Sequence, residues 1–435
     1  MAAEPVPGPL AAACGEVRPA SEDDAVAGVL PRYVAWPASV AEASAVLAAA
    51  ADLDLAVLPR GTGTRLAWGA PPRRCDLVID TLRLDRVLEH EAGDLVARVQ
   101  AGIRIDDLAD VLGLAGQQLS LDFPAAPGEA GRGTVGGVLA TGAAGPWRLR
   151  YGTPRDLSIG ITVVLADGTV AHSGGKVVKN VAGYDIGKLF AGSYGTLGLI
   201  VEAAFRLHPV PAAAAFVTRD CAYPAAAQEL VAAAVGSPLA PSAVEISRPA
   251  RGAPVRASVL LEGDKAGVAE RSALLRELLG GGASIDAVPP AWWGRSGAAA
   301  DGTLLRIAFW AGELAAVLNA LDAAASAAGL DPPVSGSAAA GVIYAAVSGS
   351  ALAASVAELV TALRASRPLG PAGPAGGDGP GPPSRGSVVV LHAPPAVRDA
   401  VDVWGPVPSA GLMRAVKDQF DPGHRMAPGR MAGGI

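Results

Sequence analysis

GGKVVKNVAGYDIGKLFAGSYGTLGLI, residues Gly174–Ile200, lies near the middle of a 435-residue chain and combines closely spaced glycines with lysines, among them Lys176 and Lys179. Two more glycine-rich segments precede it, Arg60–Thr64 (RGTGT) and Gly128–Gly137 (GEAGRGTVGG). Glycine has no Cβ, so such segments let main chain come close to a ligand. The rest of the chain takes its meaning from these three stretches.

Composition narrows the ligand classes. A chain of 435 residues exceeds one ordinary core, so two domains are expected. Hydrophobic residues make up 51%, much of it alanine, and aromatics only 4%, so small aliphatics must fill the core. A net charge of −6 and a pI near 5.5 argue against nucleic acid as the main partner. Cys14, Cys75 and Cys221 are widely spaced and odd in number, which reads as reduced thiols with neither a disulfide framework nor a cysteine metal site. Leu10–Cys14 (LAAAC) faintly resembles a lipoprotein cleavage box but lacks a preceding basic region and apolar run. No apolar segment reaches the ~18 residues of a spanning helix, so a soluble cytoplasmic protein is expected, peripheral to a membrane only through a partner.

In chain order, residues 1–28 are rich in Ala, Pro and Gly and read as a loose lead-in. Tyr33–Ala35 predicts a strand, and Ser39 with Glu42 a capping box opening a helix over Val40–Ala51. Leu55–Leu58 is a buried strand delivering the chain to the first glycine loop, a βα arrangement that brings amides to a sheet edge. Asp76–Asp80, Val87–Glu91 and Leu95–Gln100 are strands, and Ile105–Leu112 a helix with Asp106 and Asp107 in its first turn. Leu121–Trp147 is an aperiodic Gly/Ala/Pro stretch too long for an idle loop. Ile159–Leu165 turns through Ala166-Asp167-Gly168-Thr169 into Val170–His172 as a hairpin, and Leu199–Leu207 ends this part. Past Pro211, alanine-rich helices (Pro224–Val235, Lys265–Leu279, Gly312–Ala328, Ala351–Ala365) alternate with strands at Arg256–Glu262, Leu304–Phe309, Gly341–Ala346 and Val388–Leu391. Ser366–Ser387 is a Pro/Gly tract that reads as disordered, and Leu412–Phe420 is a final helix.

Gly131-Arg132-Gly133-Thr134-Val135-Gly136 matches the G-x-G-x-x-G dinucleotide fingerprint, with Asp156 at about the right distance. That fingerprint needs a strand before the first glycine and a long helix after the third. Pro124, Pro127 and Gly128 precede it, and Gly142 and Gly145 interrupt any helix after it, so the match is set aside. Pro59–Thr64 is better placed: successive amides of a glycine turn form a nest for anionic oxygens, with Arg60 adding charge and Thr62 and Thr64 adding hydroxyls. Alone it is equally a plain strand-end turn; with Thr134–Gly137 and Gly192–Gly198 beside it, a ligand is favoured.

Arg60-Gly61-Thr62-Gly63-Thr64, Thr134-Val135-Gly136-Gly137, Arg150-Tyr151-Gly152 with Asp156, and Gly192-Ser193-Tyr194-Gly195-Thr196-Leu197-Gly198 occur in an order and spacing that resembles the FAD-binding PCMH-type domain of the vanillyl-alcohol oxidase family. Gly174–Asp185, Phe420-Asp421-Pro422-Gly423 and Pro428-Gly429-Arg430 are similar to the FAD-binding E subunit of bacterial glycolate oxidase. The resemblance implies an α+β fold: a two-subdomain flavin domain over 29–211, an α+β cap over 212–405 and a terminal segment, 406–435, returning to the flavin domain. It implies FAD held by Arg60, Gly61, Thr62, Gly63 and Thr64 at the pyrophosphate, by Thr134, Val135, Gly136, Gly137 and Thr141 along the cofactor, and by Tyr151, Gly152, Asp156, Gly195, Gly198 and Ile200. Thr64-Arg65 stands where some relatives carry a flavin-linking histidine, which implies non-covalent FAD.

Related hydroxy-acid dehydrogenases carry a His/Glu metal site in the cap, whereas His90, His172, His208, His392 and His424 are isolated here and no pair has metal-ligand spacing. No metal is expected. Candidate catalytic groups reduce to Lys179, Tyr184 and His392, with Lys176 and Asp185 on the same loop as the first two. Trp292, Trp293 and Trp310 read as core or cap-interface residues. The resemblance implies a glycolate or other 2-hydroxy-acid oxidoreductase working with a D-type flavin subunit and an iron–sulfur F-type subunit, since this chain has no cysteine pattern for a cluster. Two other readings remain open: a free-standing FAD oxidoreductase acting on another alcohol or sugar, and an assembly subunit with a degenerate flavin site.

Overall fold

Strand pairing sorts the chain into three main sheets. The computed structural model describes residues 5–122, 131–175, 185–297, 300–369 and 386–435. The first sheet contains β1 (Val17–Pro19), β2 (Tyr33–Ala35), β3 (Val57–Arg60) and β4 (Leu77–Asp80) in the order β1-β2-β4-β3. β4 runs parallel to both β2 and β3, which fits the helix Val40–Asp52 crossing over between β2 and β3. The predicted cap is present: the Ser39 hydroxyl accepts from the Glu42 amide (3.1 Å), and the Glu42 carboxylate accepts from the Ala38 amide (2.9 Å).

The second sheet is antiparallel, with β5 (Val87–Glu91), β6 (Val96–Gln100), β8 (Ser158–Val164), β9 (Val170–Gly174) and β10 (Leu199–Arg206) ordered β5-β6-β10-β8-β9. Between β6 and β8 lies the two-residue β7 (Gln117–Gln118), which pairs with β11 (His208–Pro209). The β8–β9 hairpin turns at Gly168, whose φ of 87° suits glycine. A Cβ there would stand 2.7 Å from the Ser44 carbonyl, so this glycine also lets the second sheet approach the helix of the first.

The third sheet is the largest, eight antiparallel strands: β12 (Ala213–Cys221), β13 (Ala243–Arg248), β14 (Val255–Gly263), β15 (Ser284–Asp286), β16 (Thr303–Phe309), β17 (Val334–Ser337), β18 (Val342–Val347) and β19 (Gly386–His392). Their spatial order is β15-β12-β14-β13-β17-β18-β16-β19. Helices Pro224–Gly236, Leu314–Ala327 and Ala353–Ala365 bury Leu230, Leu318 and Leu359 in one core with Leu305 and Ile307 of β16. The opposite face of the same strands supplies Leu304, Tyr344, Val389 and Leu391 to a different core, shared with Val135, Leu139 and Phe190. One face of this sheet therefore packs on its own helices and the other on the glycine-loop half.

Three expectations are corrected. Residues 5–28 are not a loose lead-in: Gly8–Ala13 is a helix with Leu10 fully buried against Val46 and Leu47, and β1 pairs with β2. Asp24, in the same stretch, is buried and ion-paired to Arg18 and Arg60. Trp310 is not a core residue; it is 71% exposed, whereas Trp293 packs edge-on against Phe216 at 5.0 Å. Strands β12, β13 and β17 were not anticipated. Most of the Pro/Gly tract, residues 370–385, lies outside the described residues.

Candidate functional site

The three glycine segments meet around one groove. β3 ends at Arg60 and hands the chain to Gly61–Thr64. A Cβ on Gly61 would lie 2.3 Å from Thr134 Oγ1, so only glycine lets the first loop touch the second. Thr134 is the N-cap of the helix Val135–Thr141, its hydroxyl accepting from the Gly137 amide at 3.2 Å. Gly136 lies against Ala101 of the second sheet, where a Cβ would come within 2.9 Å of the Ala101 Cβ. The third segment closes the ring: the Gly192 and Tyr194 amides donate to Leu139 and Ala140 carbonyls (2.9 and 2.8 Å), and Gly195, at φ 76°, abuts the Pro59 ring.

The resulting groove has about 750 Å³ of open volume, part of it continuous with solvent. Arg60, Gly61, Thr62, Gly63, Thr64, Thr134, Gly136, Gly137, Thr141, Gly195, Gly198 and Ile200 all line it, together with Arg65, Thr81, Tyr194 and Arg430. The amides of Thr62, Gly63 and Thr64 donate to no backbone carbonyl among the described residues. Backbone donors in a concave glycine turn suit anionic oxygens, and a long groove lined by glycine and threonine suits an extended dinucleotide. Thus the residues present fit FAD.

Arg60 does not supply free charge there. Its guanidinium donates to Asp80 (Nε, 2.9 Å) and Asp24 (Nη1, 3.1 Å), so it ties the loop to the first sheet. Burial pulls Asp24 upward, but hydrogen bonds from Arg18, the Ser21 amide and Arg60 outweigh it and hold its carboxyl well below the usual range. In Asp80, burial prevails over the Leu82 amide and Arg60 and raises the pKa. An anion in the loop therefore gains little from Arg60 and meets the loop's amides and hydroxyls instead.

Val135, Tyr151, Gly152 and Asp156 are not brought to the groove. Val135 is buried in the core beneath it. The Tyr151 hydroxyl donates to Glu262 (3.2 Å) and its ring lies tilted against that of His208, centroids 4.7 Å apart. Gly152 and Asp156 belong to one tight turn, in which the Asp156 carboxylate accepts from the Thr153 amide at 2.8 Å. His392, at the end of β19, lies 2.8 Å from the Ala300 carbonyl and does not line the groove. The other histidines have local partners too: Gln117, Thr162, Ser120 and Asp418 for His90, His172, His208 and His424. Lys176, Lys179 and Tyr184 lie outside the described residues, and Asp185 pairs with Lys188 at 3.2 Å.

Two lining residues escaped the sequence reading although both sit inside quoted motifs. Tyr194, in GSYG, takes a left-handed φ of 55°, rare for a residue with a side chain. Arg430, in PGR, is buried and donates to the Leu66 and Trp68 carbonyls (2.8 and 2.9 Å), clamping the end of the first loop. Burial lowers its pKa to about 10, which leaves it charged. The C-terminal segment reaches this point because Met426 bridges Val57 in parallel and Lys417 is fully buried. The Lys417 ammonium donates to Asp421 and to the Thr196 (2.6 Å) and Met426 (2.8 Å) carbonyls.

A second polar cluster lies where the segment after β7 meets the third sheet. Asp122 accepts from the Trp147 amide at 2.9 Å, and Glu245 of β13 accepts from the Ser337 hydroxyl. Burial pushes Asp122 up to about 7 and Glu245 up to about 8, the latter helped by repulsion from Asp122. Among the described residues no group of three or more His, Cys, Asp or Glu is placed to hold a metal ion, and no helix is long and apolar enough to cross a membrane.

Residues 31–174 match the FAD binding domain family. Glycolate oxidase subunit GlcD of Bacillus subtilis is 36% identical over 182 residues, 42% of this chain and 38% of that protein. D-lactate dehydrogenase of Archaeoglobus fulgidus is 40% identical over 176 residues, 40% of this chain and 38% of that protein. The matched stretch thus spans under two fifths of each relative's length. Among solved structures, p-cresol methylhydroxylase with substrate bound superposes with a TM-score of 0.69 over 97% of this chain and 95% of that one, at 16% identity, a likeness of fold. The residues matched to the FAD binding domain deliver two of the three loops that form the groove, Arg60–Thr64 and Thr134–Gly137.

Proposed function

We propose that this chain is the FAD-binding subunit of a dehydrogenase for glycolate or another small 2-hydroxy acid, of the E type, working with a D-type flavin subunit and an iron–sulfur subunit in the cytoplasm. One observation carries the reading: three loops from distant parts of the chain converge on a single groove, and at Gly61 and Gly136 a side chain would collide with the neighbouring segment. A degenerate flavin site has no need of such contacts. The two curated relatives bear the names of a glycolate oxidase subunit and a D-lactate dehydrogenase, and both named substrates are 2-hydroxy carboxylates.

In this reading the amides and hydroxyls of Gly61–Thr64 hold the pyrophosphate, and Thr134, Gly136, Gly137 and Thr141 follow the cofactor. Gly195, Gly198 and Ile200 flank the far end of the groove. Bound FAD supplies the capacity to accept a hydride from the C2 carbon of the acid or electrons from a sister subunit. The groove lining holds no histidine or cysteine among the described residues, which supports non-covalent attachment. Residues 29–211 form the flavin domain, 212–405 the cap and 406–435 the segment that completes the flavin site.

Purifying the chain alone and recording its visible spectrum tests this. Flavin bands are expected, with FAD released on acid precipitation; a colourless protein that cannot be reconstituted would overturn the assignment. Bleaching by glycolate in the absence of partners would overturn the subunit reading in favour of a free-standing oxidoreductase.

A further inference from the structure

At the end of the groove beside the third sheet, Tyr194 leaves a hydrogen bond unmade. Its ring packs edge-on against Trp404 at 5.0 Å, and its hydroxyl is buried without a hydrogen-bond partner among the described residues. Burial raises its pKa, so at neutral pH the hydroxyl keeps a proton to donate. A buried unsatisfied hydroxyl is costly, and one held in a left-handed backbone next to a ligand groove calls for a functional partner.

Facing it is Arg306. β16 alternates: Leu305 and Ile307 enter the sheet's own core, while Leu304 joins the core that includes Tyr344, Val389 and Leu391 and packs against Tyr194 and Trp404. Arg306, one step from each of Leu305 and Ile307, shares that second face, with its Cα opposite Tyr344 on one side and Val389 on the other. The two halves come close here, since the Gly69 amide donates to the Leu391 carbonyl at 3.0 Å and Gly69 lies against both Trp404 and Tyr194. Arg306 is half-buried and makes no ion pair or side-chain hydrogen bond among the described residues. The groups acting electrostatically on Tyr194 are Arg306, Arg430 and Arg65, opposed by Tyr344. Arg430 is held by two neutral carbonyls, which leave its charge uncancelled. The surroundings of the Tyr194 hydroxyl are therefore cationic, with one guanidinium and one hydroxyl uncommitted among the described residues.

We propose that Arg306 and the Tyr194 hydroxyl form an anion subsite that binds the carboxylate of the small acid at the junction of the groove and the third sheet. The proposal rests on the reading as a 2-hydroxy-acid oxidoreductase, and names the two groups that select an acid over a neutral alcohol. A guanidinium pairs with a carboxylate through two parallel N–H···O bonds, and the tyrosine donates a third from the flavin side. A neutral alcohol leaves both unsatisfied, which is how a buried polar site rejects it.

The test uses the full chain loaded with FAD and oxalate as the probe, followed by calorimetry and by perturbation of the flavin bands. Arg306→Met is expected to weaken oxalate binding by about a hundredfold, as for loss of one member of a buried charge pair. Arg306→Lys should recover part of that loss, with FAD content unchanged in both Arg306 variants, and Tyr194→Phe should cost about tenfold. Equal oxalate affinity in Arg306→Met and the unmodified chain, or no oxalate binding by the FAD-loaded chain, would overturn the subsite. Oxalate binding that depends on Arg306, in an assembled complex whose flavins no hydroxy acid reduces, would sustain the subsite and sink the proposed activity. Hydroxy-acid turnover in the assembled complex with an unaltered KM in Arg306→Met would do the reverse.

Discussion

The glycine-loop half and the eight-stranded half meet a ligand in different ways. The first offers main chain: Gly61 against Thr134, Gly195 against Pro59, and amides that meet no backbone acceptor among the described residues. The second offers side chains from one face of a sheet, with Arg306, Tyr344 and Val389 opposite one another on three strands. Main-chain sites tolerate no added Cβ and leave short contiguous motifs. A sheet-face site is spread over residues distant in sequence, each only one of an alternating pair, and leaves no motif.

The strongest test of this contrast strikes the anchor of the main-chain site. Lys417→Met removes the partner of fully buried Asp421, and breaking a buried ion pair in this way costs about 3–5 kcal/mol. Urea unfolding should show that loss together with loss of FAD; an unchanged midpoint would mean that the C-terminal helix does not hold the third loop. Gly61→Val comes next. Its Cβ would overlap Thr134, and overpacking of about 1–3 kcal/mol at the groove translates to FAD binding weaker by roughly tenfold. Equilibrium dialysis of FAD measures it, and wild-type affinity would deny that the first two loops must touch.

A pH experiment probes the side-chain half. Burial raises Asp122 and Glu245 above ordinary carboxylates, so the folded chain keeps protons that the unfolded chain releases near pH 4–5. The stability this gives is present at low pH and is lost as pH climbs from about 5 to about 8. Glu245→Gln should flatten the slope of the urea midpoint across that window; an unaltered slope would place the proton elsewhere. Trp310→Ser should change least, within about 0.5 kcal/mol by thermal unfolding, because the ring is exposed. A larger loss would show that the exposed indole has a partner in solution.

Legibility in the sequence followed the same division. The Ser39–Glu42 cap, the β8–β9 hairpin and the glycine loops were readable because each is a local rule: a cap, a turn, a missing Cβ. The ion pairs of Arg60 were not readable, because its acceptors, Asp24 and Asp80, come from two other segments that only folding brings together. Residues 5–28 and the strand Ala213–Cys221 were missed because alanine and proline carry little periodicity, and their place is set by pairing with β2 and β14. Arg306 lay inside a predicted strand, but nothing local distinguishes the face that meets Tyr194 from the face that meets the helices.

The Arg430 clamp also bears on synthesis. Its acceptor on the first loop, Leu66, lies 364 residues earlier. At the usual rate of translation that separation corresponds to roughly 20–70 s between emergence of the loop and arrival of its closing residue. For that interval β3 also lacks Met426 and the third loop lacks Lys417. A ribosome-bound chain of this protein would therefore be expected to acquire its cofactor late, and a message truncated before Arg430 to yield a chain with three sheets but a weakened hold on flavin.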